Sequence, residues 1–357
     1  MDARRTVPRA CVVGLLAGAC SLDFDAFDPR GPATSGGGGA GSSTITTMLT
    51  SSSSSASSAS SGSGEGGGGG FAGGGGGGDG GTGGGTGGAG GQPPPLGPFT
   101  DIQPVTVLNS AADDDDPSFT DDLLEVYFNS SRAPGTDGDL YVSKRASSSA
   151  PWGAPAALTE FNTGSVETNA EISPDGLTFW FSRRVAGDLD IFRAVRTSRQ
   201  APWGTAALMA ELDTTMGNET FGGQTSDGLY ALITSDGGGA TPVLWDAHRT
   251  SVNGPWTMLA QLPGFSTAGY TQAETWLAAD GLEFWFRFND NGTTTMSDDI
   301  YRSVRANRSD AWGPPSPVPE LNTSVGEGDP HLSPDRRYIM FSRAVTPTAR
   351  SIFEARR

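Results

Sequence analysis

An aspartate-centred turn recurs five times in this chain at a nearly constant interval, and that recurrence leaves few folds open. Asp-Gly stands at Asp175-Gly176, Asp227-Gly228 and Asp280-Gly281, with Asp122-Leu123 and Asp335-Arg336 as altered copies, so successive aspartates lie 53, 52, 53 and 55 residues apart. A second marker keeps step with the first, as Trp152-Gly153, Trp203-Gly204, Trp256-Thr257 and Trp312-Gly313. Two markers in phase mean one supersecondary unit copied along the chain.

Each period reads as four short β runs. In the second copy these are residues 169–173, 177–183, 189–195 and 206–212. Pro174-Asp175-Gly176 forms a hairpin turn after the first run, because Asp and Gly accept the backbone such a turn needs. The second run, LTFWFSR, is aromatic and alternating, as strands are. No stretch holds an apolar period of 3.6 residues. Four-stranded units repeated at this length predict an all-β fold, a five-bladed β-propeller with antiparallel blades. The last copy has only three runs, and the missing fourth precedes the first copy: residues 99–109 match residues 312–322, both ending in Leu-Asn. An N-terminal strand in the last blade would close the ring and remove an open sheet edge.

Ser173-Pro174-Asp175-Gly176, Phe181-Ser182-Arg183 and Asp190-Ile191-Phe192 resemble the WD40-like propeller repeat of the TolB type. Ser333-Pro334-Asp335, Phe341-Ser342-Arg343 and Asp299-Ile300-Tyr301 are further copies. The resemblance covers the whole repeat region. It implies a cell-envelope protein, often periplasmic and often part of a larger assembly, and it implies no chemistry.

Three segments are expected: residues 1–20, 21–97 and 98–357. Arg4, Arg5 and Arg9 precede the ten apolar residues ACVVGLLAGA, too few to span a bilayer, so the start reads as a signal peptide. Leu16-Ala17-Gly18-Ala19-Cys20 resembles a lipoprotein lipobox, with Ala17 where Leu is usual. Cys20 is then the acylated residue, and Ser21 after it favours the outer membrane, periplasmic or surface-facing. Residues 21–97 are Ser-rich, then Gly-rich, with too little apolar surface to offset ordering, so a disordered tether spanning about 45–50 Å is expected.

The formal net charge of −17 makes nucleic acid an unsuitable partner. Both cysteines, Cys11 and Cys20, lie outside the repeats, so no disulfide framework is expected there. Neither a cofactor nor a metal is expected. His248 and His331 are the only histidines and have no cysteine partners for zinc. Asp113 to Asp116 offer oxygens that suit Ca²⁺ but lack the spaced loop pattern, so they read as a solvated acidic turn.

Eight residues before each turn aspartate stand Asp114, Glu167, Glu219, Gln272 and Glu327, placed by the repeat at the channel mouth. Arg132, Arg183, Arg287 and Arg343 follow the second run on the same face. The two columns read either as ion pairs linking neighbouring blades or as a polar rim for a peptide, glycan or cation. The expected function is a monomeric, non-enzymatic, lipid-anchored propeller that binds or scaffolds an envelope protein or glycan. The alternative is a glycan hydrolase using Asp114, Glu167 and Glu219. A residue repeated in every blade is more readily structural than catalytic.

Overall fold

The computed structural model describes residues 96–357, apart from 134–137, 215–216, 238, 240, 266–270 and 290–297. The expected signal peptide, Cys20 and nearly all of the Gly/Ser tract therefore lie outside the described residues. Among those described there is no helix. After β1 (Thr100–Pro104), the first blade is β2 (Asp114–Phe119), β3 (Glu125–Ser130), β4 (Asp139–Lys144) and β5 (Ala156–Ala157). The second is β6 (Glu167–Ile172), β7 (Thr178–Val185), β8 (Asp188–Val195) and β9 (Ala207–Leu208). The third is β10 (Glu219–Gln224), β11 (Tyr230–Ser235), β12 (Val243–His248) and β13 (Thr257–Gln261). The fourth is β14 (Thr271–Leu277), β15 (Glu283–Asn289), β16 (Asp299–Val304) and β17 (Ser316–Pro317). The fifth holds β18 (Glu327–Leu332), β19 (Tyr338–Thr346) and β20 (Ala349–Arg356), and β1 pairs with β20 as its outer strand.

These sheets form the five-bladed ring. The first strands β2, β6, β10, β14 and β18 each touch the next around a circle, and β18 touches β2. The closure read from the sequence holds in register, with Gln103 opposite Glu354 and Pro104 opposite Phe353. Asn109 clamps Ile352, its side chain accepting from the Ile352 N–H (2.7 Å) and donating to the Ile352 carbonyl (2.9 Å). Asn322 does the same to Ile300, at 2.8 and 3.0 Å. The fourth strand is shorter than the run 206–212 predicts. The chain turns inward after Leu208, where Met209 N–H bonds the Ile191 carbonyl (2.8 Å) and Leu212 N–H the Met209 carbonyl (2.8 Å).

Both faces of each second strand are buried, because each blade packs against two neighbours. In β7, Phe179 and Phe181 pack toward the first blade and Trp180 toward the third. In β15, Phe284 and Phe286 face the third blade and Trp285 the fifth. Alternation of period two thus divides one aromatic run between two cores. Five such clusters exist, one at each seam.

The markers have local causes. Asp175 Oδ1 accepts from the Leu177 N–H (2.9 Å) and from the Ser173 hydroxyl (2.6 Å), and Gly176 sits at φ 73°. In the altered copies Leu123 and Arg336 hold the same conformation at φ 60° and 58°. The tryptophan column carries a partner column that the sequence comparison missed. Arg145, Arg196, Arg249 and Arg305 lie over Trp152, Trp203, Trp256 and Trp312 at 4.0, 4.3, 4.2 and 4.0 Å. Arg357 lies over Phe99 at 4.3 Å, so the fifth pair joins the two ends of the ring. Each of these arginines also donates from Nε to the carbonyl of a turn residue: Leu123, Gly176, Gly228, Gly281 and Arg336. The Gly after Trp is steric, since a Cβ on Gly153 or Gly313 would lie 2.9 or 2.8 Å from the Lys144 or Val304 carbonyl oxygen.

Deleting residues 21–97 is expected to leave the melting temperature near that of the full chain. Extending the deletion through Pro104 strips β20 of its partner and uncovers Phe99 and Ile102 in the last seam, a loss of several kcal/mol. Calorimetry on both deletions checks this, and equal melting would refute the closure.

Candidate functional site

The column begins the first strand of four blades with a carboxylate, and these four are sealed inside the protein. Asp114, Glu167, Glu219 and Glu327 have no exposed surface. Asp114 meets Arg132 at 2.6 Å, Glu167 meets Arg183 at 2.8 Å, and Glu327 meets Arg343 at 2.8 Å. These ion pairs lie within single blades and do not link neighbouring blades as expected. What ties each pair to the incoming connection is hydrogen bonding. Thr163 N–H and Oγ1 donate to Glu167 at 3.0 and 2.6 Å, while Arg183 Nη2 donates to the Phe161 carbonyl at 2.6 Å. Thr323, Glu327, Arg343 and Leu321 repeat that arrangement.

One arginine was grouped wrongly by spacing alone. Arg183 stands opposite Glu167 and Arg343 opposite Glu327, but Gln272 stands opposite Phe288. Arg287 is one residue earlier, and a shift of one residue sends a strand side chain to the other face. It pairs with Glu274 (2.8 Å) and Asp298 (2.9 Å) instead. In the first blade Ser130 stands opposite Asp114, and Arg132 reaches back from two residues beyond. The Gln272 side chain lies outside the described residues.

The groups that line the channel stand two positions further along. Every first strand is bulged, and the bulge residue is left-handed: Asp116 at φ 50°, Asn169 at 52°, Glu274 at 52° and Asp329 at 52°, with Gly223 at 98° in the third blade. Such backbone is costly outside glycine and least so for Asp and Asn. A polar residue two positions past the column, in four of the five periods, was the available signal. Asp116, Asn169, Glu274 and Asp329 line a cavity of about 40 Å³ with Glu171 and His331. Asp113 to Asp116 are therefore the entry to a strand and not a solvated turn. Asp113 accepts from Arg350 N–H (2.6 Å), Asp114 faces Arg132, Asp115 accepts from Asn129, and Asp116 accepts from Thr168 Oγ1 (2.9 Å) and Asn169 N–H (2.9 Å).

Crowded carboxylates here divide their protons unequally. Burial pushes Glu274 up to about 8, against the pull of Arg287 and with a push from Asp329. Burial, then Asp329 and Asp115, raises Asp116 well above the carboxylate range. Burial opposes ionising Asp329 too, yet hydrogen bonds from Glu274 and Asp116 and the charge of Arg350 hold it below that range. Glu274 and Asp116 thus hold protons in preference to Asp329, which accepts a hydrogen bond from each.

Past Glu171 and His331 the channel opens toward the hairpin-turn face in a cavity of about 230 Å³. Phe119, Trp180 and Trp276 line it, with Asp121, Gln224 and Arg336 among its polar groups. His331 is buried, with Nδ1 3.5 Å from Glu171 and its ring against Phe119 (4.4 Å). The Trp180 indole N–H has no hydrogen-bond partner. The four column tryptophans, by contrast, stay with their arginines at the seams.

No family model and no curated protein matches the sequence. Solved structures do resemble the fold. TolB from Acinetobacter baumannii is 16% identical over 70% of this chain, with a TM-score of 0.43, and the match takes in 56% of the TolB chain, little more than half its length. A thermostable family-43 glycoside hydrolase is 12% identical over 70% of this chain and 90% of its own, with a TM-score of 0.46. An α-L-arabinofuranosidase from Podospora anserina is 12% identical over 71% of this chain and 94% of its own, with a TM-score of 0.43. A shared propeller does not choose between binding and hydrolysis.

Two outcomes follow from the buried charges. Arg343→Ala strands Glu327 without its counter-charge and is expected to cost about 3–5 kcal/mol in urea unfolding. Glu274 binds its proton more tightly folded than unfolded, so its contribution is full below its ordinary pKa and is lost as pH rises through about 8. Melting temperature should therefore decline toward alkaline pH, and Glu274→Gln should flatten that decline; an unchanged slope would refute it.

Proposed function

We propose that this chain is a non-enzymatic binding propeller of the TolB type, exported and anchored in the outer membrane through lipid on Cys20. The Gly/Ser tract sets the propeller off from the bilayer, and the mouth on the hairpin-turn face captures a segment of another envelope protein. The observation that carries this reading is the mouth of about 230 Å³ with its aromatic wall of Phe119, Trp180 and Trp276. An apolar side chain suits Phe119, Trp180 and Trp276. Asp121, Glu171 and Asp280 at the same mouth favour a segment carrying a basic residue.

A second reading, a glycan hydrolase, has one observation in its favour. Glu274 and Asp329 are carboxyls whose proton affinities are driven apart, as an acid and its partner carboxylate require. Against it, the cavity they line measures about 40 Å³, room for a water or two and too little for a sugar ring. The carboxylates first considered, Asp114, Glu167 and Glu219, are sealed from solvent.

Cross-linking in intact envelopes followed by capture of the chain tests the reading. Asp121→Lys reverses an exposed charge at the mouth and is expected to reduce recovery of the partner about tenfold. Cys20→Ser should release the chain from the membrane fraction. Equal recovery by the Asp121 variant, or glycan cleavage abolished by Glu274→Gln, would overturn the proposal.

A further inference from the structure

Glu219 departs from its column. In the first, second and fifth blades an arginine of the same blade meets the carboxylate, from the facing position as Arg183 and Arg343 or from two residues past the facing Ser130 as Arg132; opposite Glu219 stands Ser235, and two residues past it Gly237. Among the described residues no lysine or arginine pairs with Glu219. Its Oε1 accepts from the hydroxyls of Thr214 and Ser235 (2.7 Å from the serine). The Thr214 N–H also bonds this carboxylate, but among the described residues Oε2, in a side chain with no exposed surface, has no hydrogen-bond partner within normal distance and angle. A bare carboxylate oxygen in the interior is costly and calls for a positive ligand.

A second departure falls at the same seam. Asn109, Asn162 and Asn322 clamp the third strand of the preceding blade, each bonding both the N–H and the carbonyl of one residue. The matching residue between the second and third blades is Asp213. A carboxylate has no hydrogen to donate to that carbonyl, so the exchange of Asn for Asp is not explained by the clamp. Asp190, at the start of β8 and nearly buried, completes the group. Carboxylate oxygens of Asp190, Asp213 and Glu219 all lie within 4.8 Å of one another. Burial raises both Asp190 and Glu219, and Asp213 raises each further. One seam thus lacks the guanidinium that meets the carboxylate in three other blades and has an acid where three others have an amide.

We propose that this seam binds one calcium ion through Asp190, Asp213 and Glu219, in the place that a guanidinium fills in three other blades. Calcium takes oxygen ligands at about 2.3–2.6 Å, so oxygens on opposite sides of it stand about 4.6–5.2 Å apart, which suits this cluster. Magnesium, at about 2.0–2.1 Å, would require the three side chains to close further. Asp213 is partly exposed, which leaves a route for the ion and room for water in its shell. The site lies at a seam between blades, apart from the channel mouth proposed to bind protein.

Titration calorimetry and melting of the full chain, stripped with EDTA and then given CaCl₂ or MgCl₂, test the assignment. Wild type is expected to bind one Ca²⁺ per chain and to melt higher with Ca²⁺ than with EDTA. Asp213→Asn installs the residue of the other seams; it should weaken Ca²⁺ binding by about tenfold or more while melting normally in EDTA. Ser235→Arg supplies a guanidinium, and should melt above wild type in EDTA and no longer respond to Ca²⁺. Absence of saturable Ca²⁺ binding, undiminished binding by the Asp213 variant, or tighter binding of Mg²⁺ than Ca²⁺ would overturn the proposal.

Discussion

The contact between an arginine and an aromatic ring at the end of each third strand is the interaction on which this ring depends. Arg196 illustrates it: the guanidinium lies 4.3 Å over Trp203, Nε donates to the Gly176 carbonyl at 2.6 Å, and Nη2 reaches Glu125 of the first blade. One side chain thus holds the Asp-Gly turn, the third strand and a seam aromatic together. Such contacts strengthen when they are desolvated, as here. Four of the five aromatics lie seven residues after their arginine, within one stretch of chain. The fifth cannot, and Arg357 takes Phe99 from the other end of the ring. Ring closure is therefore the same local interaction made between distant parts of the sequence.

Around that framework the blades differ where their side chains leave the seams. The left-handed bulge brings polar groups into the channel in four blades, and two of these, Glu274 and Asp329, face each other closely enough to share a proton. The third blade has Gly222-Gly223 instead, where a Cβ on Gly222 would come within 2.8 Å of Thr275. That blade is also where Ser235 faces Glu219 with Gly237, not arginine, two residues on, and where β13 runs five residues, longer than the two of its counterparts β5, β9 and β17. Departures from the repeat gather in one sector, and periodic positions are structural there as elsewhere. Sites belong where the period fails.

Spacing located the paired columns but not their partners. Arg183 and Arg343 follow Phe-Ser, and their side chains return to Glu167 and Glu327. Arg287 interrupts an aromatic run, Phe286-Arg287-Phe288, and occupies the position of Ser182. Counting residues could not distinguish the two, because a side chain's face depends on register, and each first strand contains a bulge that shifts the register. The Phe-Arg-Phe order, read against Phe-Ser-Arg, was the clue. The polar groups of the channel were within reach of the same comparison, two positions past the column, as Asp116, Asn169, Glu274 and Asp329.

The sequence by itself determined the blade number, the strand order and the strand that closes the ring, because period, turn chemistry and alternation are local and repeat in phase. It also marked Asp114, Glu167 and Glu327 as recurring. Only the tertiary structure decided that these are sealed in their own blades, that the acids lining the channel are those at the bulges, and that Asp190, Asp213 and Glu219 converge. Convergence of that kind depends on how two blades meet and on which way each side chain turns. Those are properties of packing between segments, which no count along one strand contains.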